Sequence, residues 1–463
     1  MYLIIYFWRE DMKIVIIGLG TIGKTILKNL ANEGHTITII DEDKDLVESL
    51  IEKYDVSGVV GNGASMDIQR EAGARGADLA IVLTGSDELN IFACLVAKTL
   101  GVKNTITRVR NPDYSKQIMD MKDELGISMI VNPEKDTASE IFNLINLPYI
   151  GQVDRFGDGR ALLFEIVAEK GCSLIGYNLI SIGKALSSKV LICAVQRGQE
   201  IIIPNGHFLI AEGDRIHITA DAKSLRDFIA EINLVKTPLK RIMIVGGSKI
   251  GYYLSDELSK KKYKVKLIES DKEIAEELAE SLNKVTVIHG NGTQHDLLLE
   301  EGIEAMDAFV ALTNTDEENM VVTMFANKMK VRKTFTQIKS DDLYGMLDEL
   351  GINNIVSPKN IVSDRITSYI RAMANKRGSN VRTLYRLVND QVEAVEFLAK
   401  RKQDKIYDKP LKDLKFKKNC LVACIIRQNE VIIPDGNSCI KIGDNVIVVT
   451  THKNFDDLTD IFD

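Results

Sequence analysis

Three glycines and a distant carboxylate form the clearest chemical pattern in this sequence. Gly18, Gly20 and Gly23 follow the apolar run IVII and open a helix-like segment, and Asp41 closes the next apolar run. In such a pattern the first glycine permits a tight turn, the second lets a pyrophosphate approach the backbone, and the third lets helix and strand pack closely. An acid about 20 residues on accepts hydrogen bonds from ribose hydroxyls, which favours NAD(H) or adenosine nucleotides over NADP(H). The pattern predicts a nucleotide site, with glycines used only for packing as the alternative.

The pattern recurs in the second half of the chain with changes. Gly246 and Gly251 follow the apolar run IMIV, and Glu269 closes the next run. Ser248 stands where the first half has its middle glycine, and its Cβ lies at the point of closest phosphate approach. Lys249 follows. Its side chain either contacts a phosphate group or is simply exposed to solvent. Ligand binding is expected here too, with a degenerate, structural copy as the alternative.

Further polar residues fall at the predicted strand ends, where ligands of open α/β sheets bind. Thr84 and Thr313 end the fourth predicted strand of each half, and Asp87 or Asp316 is a good candidate to cap the helix that follows. Arg108 lies on the fifth strand, where the second half has Gln337. In the first half alone, this arginine either reaches a phosphate or forms a surface salt bridge.

No catalytic or metal-binding constellation accompanies these residues. The six histidines show neither triad nor metal-ligand spacing, and the six cysteines are scattered, which predicts free thiols in a reducing compartment. A hydride-transfer enzyme needs an acid or base and an anion-binding arginine beside the cofactor, and the segments after the glycine patterns offer no such set. We therefore expect a sensor whose conformation a nucleotide biases and not an enzyme; an NAD-dependent dehydrogenase is the less favoured alternative.

A tandem duplication supplies the elements that position these residues. Three further pairs of motifs recur in the same order: GNGASMD from Gly61 and GNGTQHD from Gly290, LTGSDELN from Leu83 and LTNTDEEN from Leu312, IIIPNG from Ile201 and VIIPDG from Val431. Ordered matches at a nearly constant offset indicate that one half was copied from the other.

Each half is predicted to be α/β. It begins with β-branched runs alternating with helical segments, which predicts a Rossmann-like parallel sheet of about six strands. An amphipathic connecting helix follows, at 137–147 and 361–373, and then a small, mainly antiparallel α+β lobe. Hairpin turns are expected at Arg197–Gly198 and at Gln428–Asn429. The predicted boundaries are 1–11 for an N-terminal extension, 12–135 and 237–360 for the Rossmann-like lobes, and 136–236 and 361–463 for the connecting helices with their small lobes, with the junction between halves at 235–241.

The composition is that of an ordinary globular protein. Of the 463 residues 45% are hydrophobic and 27% charged, and the formal net charge is −7. Nucleic-acid binding needs a basic face, so no nucleic-acid partner is expected. No apolar run reaches the about 18 residues of a membrane span, and the N-terminal run MYLIIYFW lacks the features of a signal peptide. Met12 directly precedes the first strand, and we expect the physiological start there.

Taken together, these motifs resemble the RCK (KTN) plus RCK-C arrangement, and its duplication in one chain resembles the TrkA family of bacterial and archaeal Trk potassium-uptake systems. The resemblance covers 12–463. It implies a cytoplasmic regulatory subunit, peripheral on the inner face of the membrane, that binds NAD(H), with ATP and ADP as further candidate ligands, and gates potassium transport through a Trk-type membrane subunit. It also implies a homodimer that forms a ring of four RCK units. A ring serving another cation channel or transporter is the alternative.

The resemblance further implies which residues contact the nucleotide. They are Gly18, Leu19, Gly20, Thr21, Ile22, Gly23, Asp41, Thr84, Gly85 and Arg108 in the first lobe, and Gly246, Gly247, Ser248, Lys249, Ile250 and Glu269 in the second. The departure from the family pattern at Ser248 leaves the ligand of the second lobe open.

Overall fold

The computed structural model forms two compact units, one up to Asn146 and over Leu239–Thr367, the other over the remaining residues. It describes residues 12–31, 33–146, 150–157, 159–198, 200–232, 239–347, 350–352, 354–375, 381–387, 392–400, 406–428, 430–452, 455 and 457–462. The predicted extension 1–11, Asn429 of the second predicted hairpin and most of the predicted junction at 235–241 lie outside the described residues.

The first lobe is a six-stranded parallel sheet with strand order β3-β2-β1-β4-β5-β6. Its elements are β1 (Lys13–Ile17), α1 (Thr21–Leu30), β2 (Thr36–Asp41), α2 (Lys44–Lys53), β3 (Ser57–Val60), α3 (Met66–Glu71), β4 (Leu79–Val82), α4 (Asp87–Thr99), β5 (Asn104–Arg108), α5 (Pro112–Asp120), β6 (Met129–Val131) and α6 (Pro133–Asn146). The strand order reverses between β1 and β4, which opens a crevice at their carboxyl ends. The predicted Rossmann-like lobe is confirmed.

A small lobe follows, with the antiparallel order β10-β9-β11-β8-β7. Its elements are β7 (Ile150–Phe156), β8 (Ala161–Val167), α7 (Leu179–Ala185), β9 (Leu191–Arg197), β10 (Glu200–Ile202), β11 (Arg215–Asp221) and α8 (Ala222–Glu231). The predicted hairpin is present, since Arg197 pairs with Glu200 and Gly198 takes a φ of +61°.

The second half repeats both folds. Its parallel sheet has the order β14-β13-β12-β15-β16-β17, and its antiparallel sheet has the order β18-β19-β22-β20-β21. The elements are β12 (Arg241–Val245), α9 (Lys249–Lys260), β13 (Lys264–Glu269), α10 (Lys272–Ser281), β14 (Val285–His289), α11 (His295–Glu300), β15 (Ala308–Ala311), α12 (Asp316–Lys328), β16 (Lys333–Gln337), α13 (Tyr344–Leu347), β17 (Ile355–Val356), α14 (Pro358–Asn375), β18 (Val381–Leu387), β19 (Val392–Leu398), β20 (Cys420–Arg427), β21 (Glu430–Ile432) and β22 (Asn445–Thr450).

The connecting helices join the two Rossmann-like lobes into one unit. The apolar face of α6, with Ile141, Phe142 and Ile145, is part of the buried core of the second lobe, where it packs with α9. In return, Ser363 of α14 accepts a hydrogen bond of 2.9 Å from Asn29 of the first lobe. Each connecting helix therefore contacts the lobe that did not precede it.

The two small lobes likewise share a core. One buried cluster contains Phe156 and Cys193 from the first small lobe together with Val392, Cys424 and Ile447 from the second. The faces of the two antiparallel sheets that carry these residues are thereby shielded from water. None of the helices within the described ranges is long and apolar enough to cross a membrane.

Candidate functional site

In the glycine loop of the first lobe, two positions require glycine for steric reasons and one does not. A Cβ on Gly18 would lie 2.8 Å from the Leu83 carbonyl carbon, and one on Gly23 would lie 2.2 Å from the Gly18 carbonyl oxygen. Gly20, with a φ of −62°, has open space instead, since a Cβ there would meet nothing within 4 Å. No side chain caps helix α1 at this position. The first-turn N–H groups of α1 thus face space that an anion can fill.

Asp41 holds the glycine loop against the end of β2. Its carboxylate accepts a 2.7 Å hydrogen bond from the backbone N–H of Leu19 and a 3.1 Å bond from that of Asp43. Each oxygen accepts one of these bonds, and a carboxylate has about four acceptor sites. Asp41 therefore keeps capacity for the ribose hydroxyls predicted from the sequence.

A buried asparagine, which the sequence reasoning missed, ties together the ends of β4 and β5. The Asn90 side-chain oxygen accepts 2.7 Å bonds from both the backbone N–H and the hydroxyl of Thr84, and its NH₂ donates to the Arg108 carbonyl at 3.0 Å. Asn319 makes the equivalent bond to Thr313 in the second lobe. The available signal was the asparagine that both copies of the LTGSDELN motif retain.

The prediction that Asp87 caps helix α4 is wrong. Ser86 is the capping residue, and its hydroxyl accepts a bond from the helix backbone. Asp87 is the first helical residue, and its buried carboxylate accepts 2.8 Å bonds from the N–H groups of Arg110 and Asn111. The aspartate thus fixes the loop after β5. The prediction is wrong for Asp316 as well, because Thr315 caps α12 and Asp316 accepts bonds from the N–H groups of Lys339 and Ser340.

Two arginines of the first lobe lie over this strand-end loop. Arg108 donates to the carbonyl of Thr84, and Arg110 donates to that of Gly85 at 2.9 Å. Burial, reinforced by the charge of Arg110, lowers the pKa of Arg108. In the described part of the chain, Arg108 thus has a backbone partner and not the surface salt bridge that the sequence left open.

A cleft of about 470 Å³ lies between the two Rossmann-like lobes and is lined by some residues of each candidate site. It is lined by Thr21, Ile22, Arg108, Arg110, Pro133, Glu134, Ser248, Lys249, Ile250, Leu312, Thr313, Asn314, Gln337, Lys339, Ser357, Pro358 and Lys359. Five of these residues are cationic and one is a carboxylate, and Lys359 is paired with Asp341 at 2.9 Å, so the lining keeps a positive balance that attracts anions.

The second lobe brings its predicted residues together with more internal contacts. Gly246 has a φ of +109°, and a Cβ there would lie 2.3 Å from the Leu312 carbonyl oxygen. The Ser248 hydroxyl caps helix α9 by accepting the N–H of Gly251 at 3.4 Å. The Glu269 carboxylate accepts hydrogen bonds of 2.5 Å from the N–H of Gly247 and 2.8 Å from the N–H of Asp271. It accepts a third bond, of 3.1 Å, from the hydroxyl of Ser270.

All six cysteines are free thiols, as predicted. Burial raises the pKa of Cys94, Cys193 and Cys424 to about 12, so these thiols stay protonated at neutral pH. Among the residues that the structure describes, no group of three or more His, Cys, Asp or Glu side chains is placed to hold a metal ion.

Comparison with known proteins matches two domain families to the chain, each of them twice. The TrkA-N domain matches residues 14–133 and 242–358, and the TrkA-C domain matches 163–233 and 402–463. The Trk system potassium uptake protein TrkA of Vibrio alginolyticus is 31% identical over 448 residues, which cover 96% of this chain and 97% of the relative. The Trk system potassium uptake protein TrkA homolog of Archaeoglobus fulgidus is 29% identical, covering 97% of this chain and all of that one.

Solved structures confirm the duplicated fold. The GsuK channel bound to NAD superposes with a TM-score of 0.64 at 16% identity, covering 95% of this chain and 77% of that one. The GsuK RCK domain superposes with a TM-score of 0.62, covering 95% and 92%. At this identity the likeness concerns the fold alone, and it shows that both Rossmann-like lobes and both small lobes follow the RCK arrangement.

Proposed function

The chain belongs to the TrkA family, and on that premise we propose that it is the nucleotide-sensing regulatory subunit of a Trk-type potassium-uptake system. It acts from the cytoplasm on the inner face of the membrane, where it gates potassium flux through a Trk-type membrane subunit. Family membership over nearly the whole chain supports this proposal, since the relatives carry the name of that system.

The open space at Gly20 is the observation that carries the nucleotide part of the proposal. The fold places no atom there, leaves α1 uncapped and sets the Asp41 carboxylate beside the same loop. A pyrophosphate on the α1 N-terminus and a ribose on Asp41 fit this arrangement. NAD(H) is the proposed ligand, with ATP and ADP as competitors. In this arrangement, the part of the nucleotide beyond the pyrophosphate is proposed to contact Thr84, Gly85 and Arg108.

The site is proposed to bind nucleotide without turning it over. Within the described residues, the cleft lining has no histidine and no cysteine, and its one carboxylate, Glu134, lies among cations. Hydride transfer needs an acid or base placed against the reacting atom. Without that group, the site is proposed to bind the nucleotide and respond to it by a change of conformation, with no chemical conversion.

Gating follows from the charge of the cleft. Arg108 and Arg110 come from one lobe, and Lys249, Lys339 and Lys359 come from the other. These cations repel one another, and a bound polyphosphate screens that repulsion to an extent that depends on its charge and position. To act as a switch, two nucleotides must differ in their preference between the two lobe arrangements by a few kcal/mol.

Exposed apolar side chains support the proposed ring of four RCK units from two chains. Phe92 on α4 and Met121 after α5 are 55% and 46% exposed in the first lobe, and Val321 and Met346 are 51% and 54% exposed at the matching positions of the second. Their recurrence at matching positions of both lobes is what supports an association surface here. Replacing Phe92 by glutamate is expected to reduce the mass of the assembly measured by light scattering, and an unchanged mass would exclude this face.

Calorimetric titration of NADH, NAD, ATP and ADP into the full chain tests the nucleotide part. We expect binding without cofactor oxidation or hydrolysis, and a loss of roughly tenfold or more in affinity in Asp41→Ala. Asp45→Ala, an exposed aspartate of helix α2, is the matched control and should bind normally. Absence of binding by all four nucleotides would refute the sensor.

Cation uptake tests the transport part. In cells that carry a Trk membrane subunit, potassium uptake should depend on this chain and should fall with Asp41→Ala. If uptake of a different cation depends on the chain, the alternative of a ring serving another transporter replaces the proposal.

A further inference from the structure

We propose that nucleotide binds the first Rossmann-like lobe alone. In the second lobe, Ser248 and Glu269 already accept hydrogen bonds from groups of the protein itself. This inference rests on the proposed function and names the lobe that performs it. Three comparisons between equivalent positions of the two lobes support it.

The first difference between the two lobes is at the position where a phosphate would bind. In the first lobe, Gly20 leaves helix α1 uncapped and the space before it open. In the second lobe, Ser248 stands at the equivalent position, and its hydroxyl accepts a 3.4 Å hydrogen bond from the N–H of Gly251. A serine cap satisfies one of the backbone donors that a phosphate would use. Its Cβ also stands between the backbone and an approaching pyrophosphate.

The ribose position differs next. Asp41 accepts one bond on each oxygen. Glu269 accepts three, from Gly247 and Asp271 and from the Ser270 hydroxyl. The longer glutamate side chain also reaches over the loop, so that a Cβ on Gly247 would lie 2.7 Å from its Oε2. Less acceptor capacity therefore remains for a ribose in the second lobe.

The strand ends differ last. The partly buried, charged Arg108 lies over the first site, whereas the equivalent Gln337 is buried and uncharged. Lys339 replaces Arg110, and its ammonium group donates to the Asn314 carbonyl at 2.6 Å. Lys249 is exposed and attracts anions, but it lines the same cleft as the first site. Its charge therefore acts on a ligand of either lobe and does not restore the phosphate position at α9.

The stoichiometry of binding tests the inference. Titration of NADH, and separately of ATP, into the full chain should give one nucleotide per chain. Asp41→Ala should remove that site, and Glu269→Gln should leave the stoichiometry at one. Two nucleotides per chain, or a site that survives Asp41→Ala and is lost in Glu269→Gln, would overturn the inference while leaving the sensor intact. Absence of all binding would instead refute the proposed function.

Installing the serine in the first lobe tests its role directly. Gly20→Ser should fold normally, because the backbone there suits any residue and a Cβ meets nothing within 4 Å. We expect its nucleotide affinity to fall roughly 10- to 100-fold, the range for losing a hydrogen bond to a charged group. Gly183→Ser, at another helical glycine with open space, is the control and should bind like the wild type. Unchanged affinity in Gly20→Ser would overturn the exclusion attributed to Ser248.

Discussion

Replacement of Asn90 by alanine should weaken the strand ends that carry Thr84 and Arg108. Asn90 is fully buried, and its removal leaves the Thr84 N–H and the Arg108 carbonyl without their partner. An unsatisfied buried group costs about 1–3 kcal/mol, and because Thr84 and Arg108 are only partly buried, the two groups together should cost the first lobe about 1–3 kcal/mol. Asn319→Ala removes the equivalent amide from the second lobe and is the matched variant.

Hydrogen exchange measured by mass spectrometry suits this test, because it resolves the two lobes, whereas one melting curve of a chain with several lobes does not. Exchange should rise in β4 and β5 for Asn90→Ala and in β15 and β16 for Asn319→Ala. NADH affinity should fall only in Asn90→Ala. Equal losses of affinity in the two variants, or unchanged exchange in both, would refute the reasoning.

Three further predictions concern stability and reactivity. Burial alone would raise the pKa of Asp307, but N–H donors of Arg241 and Lys240 and the guanidinium groups of Arg241 and Arg332 outweigh it and lower the pKa to about 2. Asp307→Asn should therefore cost about 2 kcal/mol at neutral pH in urea unfolding, and the difference from wild type should shrink as the pH falls from about 4 towards 2. Gly23→Ala should lower the melting temperature, because its Cβ would lie 2.2 Å from a carbonyl oxygen, whereas Gly20→Ala should not. A maleimide should label Cys420 and Cys439 in the native protein and the four buried cysteines only after unfolding, as peptide mapping can show.

The parallel lobes were predictable because their determinants are local and repeated. Runs such as IVII and IMIV form buried strands, and the glycines beside them meet steric demands that any such turn imposes. The hairpin at Arg197–Gly198 was predictable for the same reason, since a glycine between two apolar runs permits the turn.

The misassigned and missed residues depend on contacts that are distant in sequence. Asp87 has the local chemistry of a helix cap, yet the loop after β5 provides its partners, and Ser86 caps the helix. Asn90 is one polar residue on a helix until the fold brings Arg108 to it. The sequence also shows that α6 is amphipathic, but an apolar face does not reveal which of two similar lobes it covers.

The placement of α6 has a consequence for biosynthesis. Ile141, Phe142 and Ile145 leave the ribosome long before the strands of the second lobe that cover them. During that interval the nascent chain carries a water-exposed apolar helix, a natural substrate for a chaperone. A gene truncated between the repeats would encode that helix without the second lobe that covers it in this chain. It would also remove α14, whose Ser363 accepts the hydrogen bond from Asn29 of the first lobe.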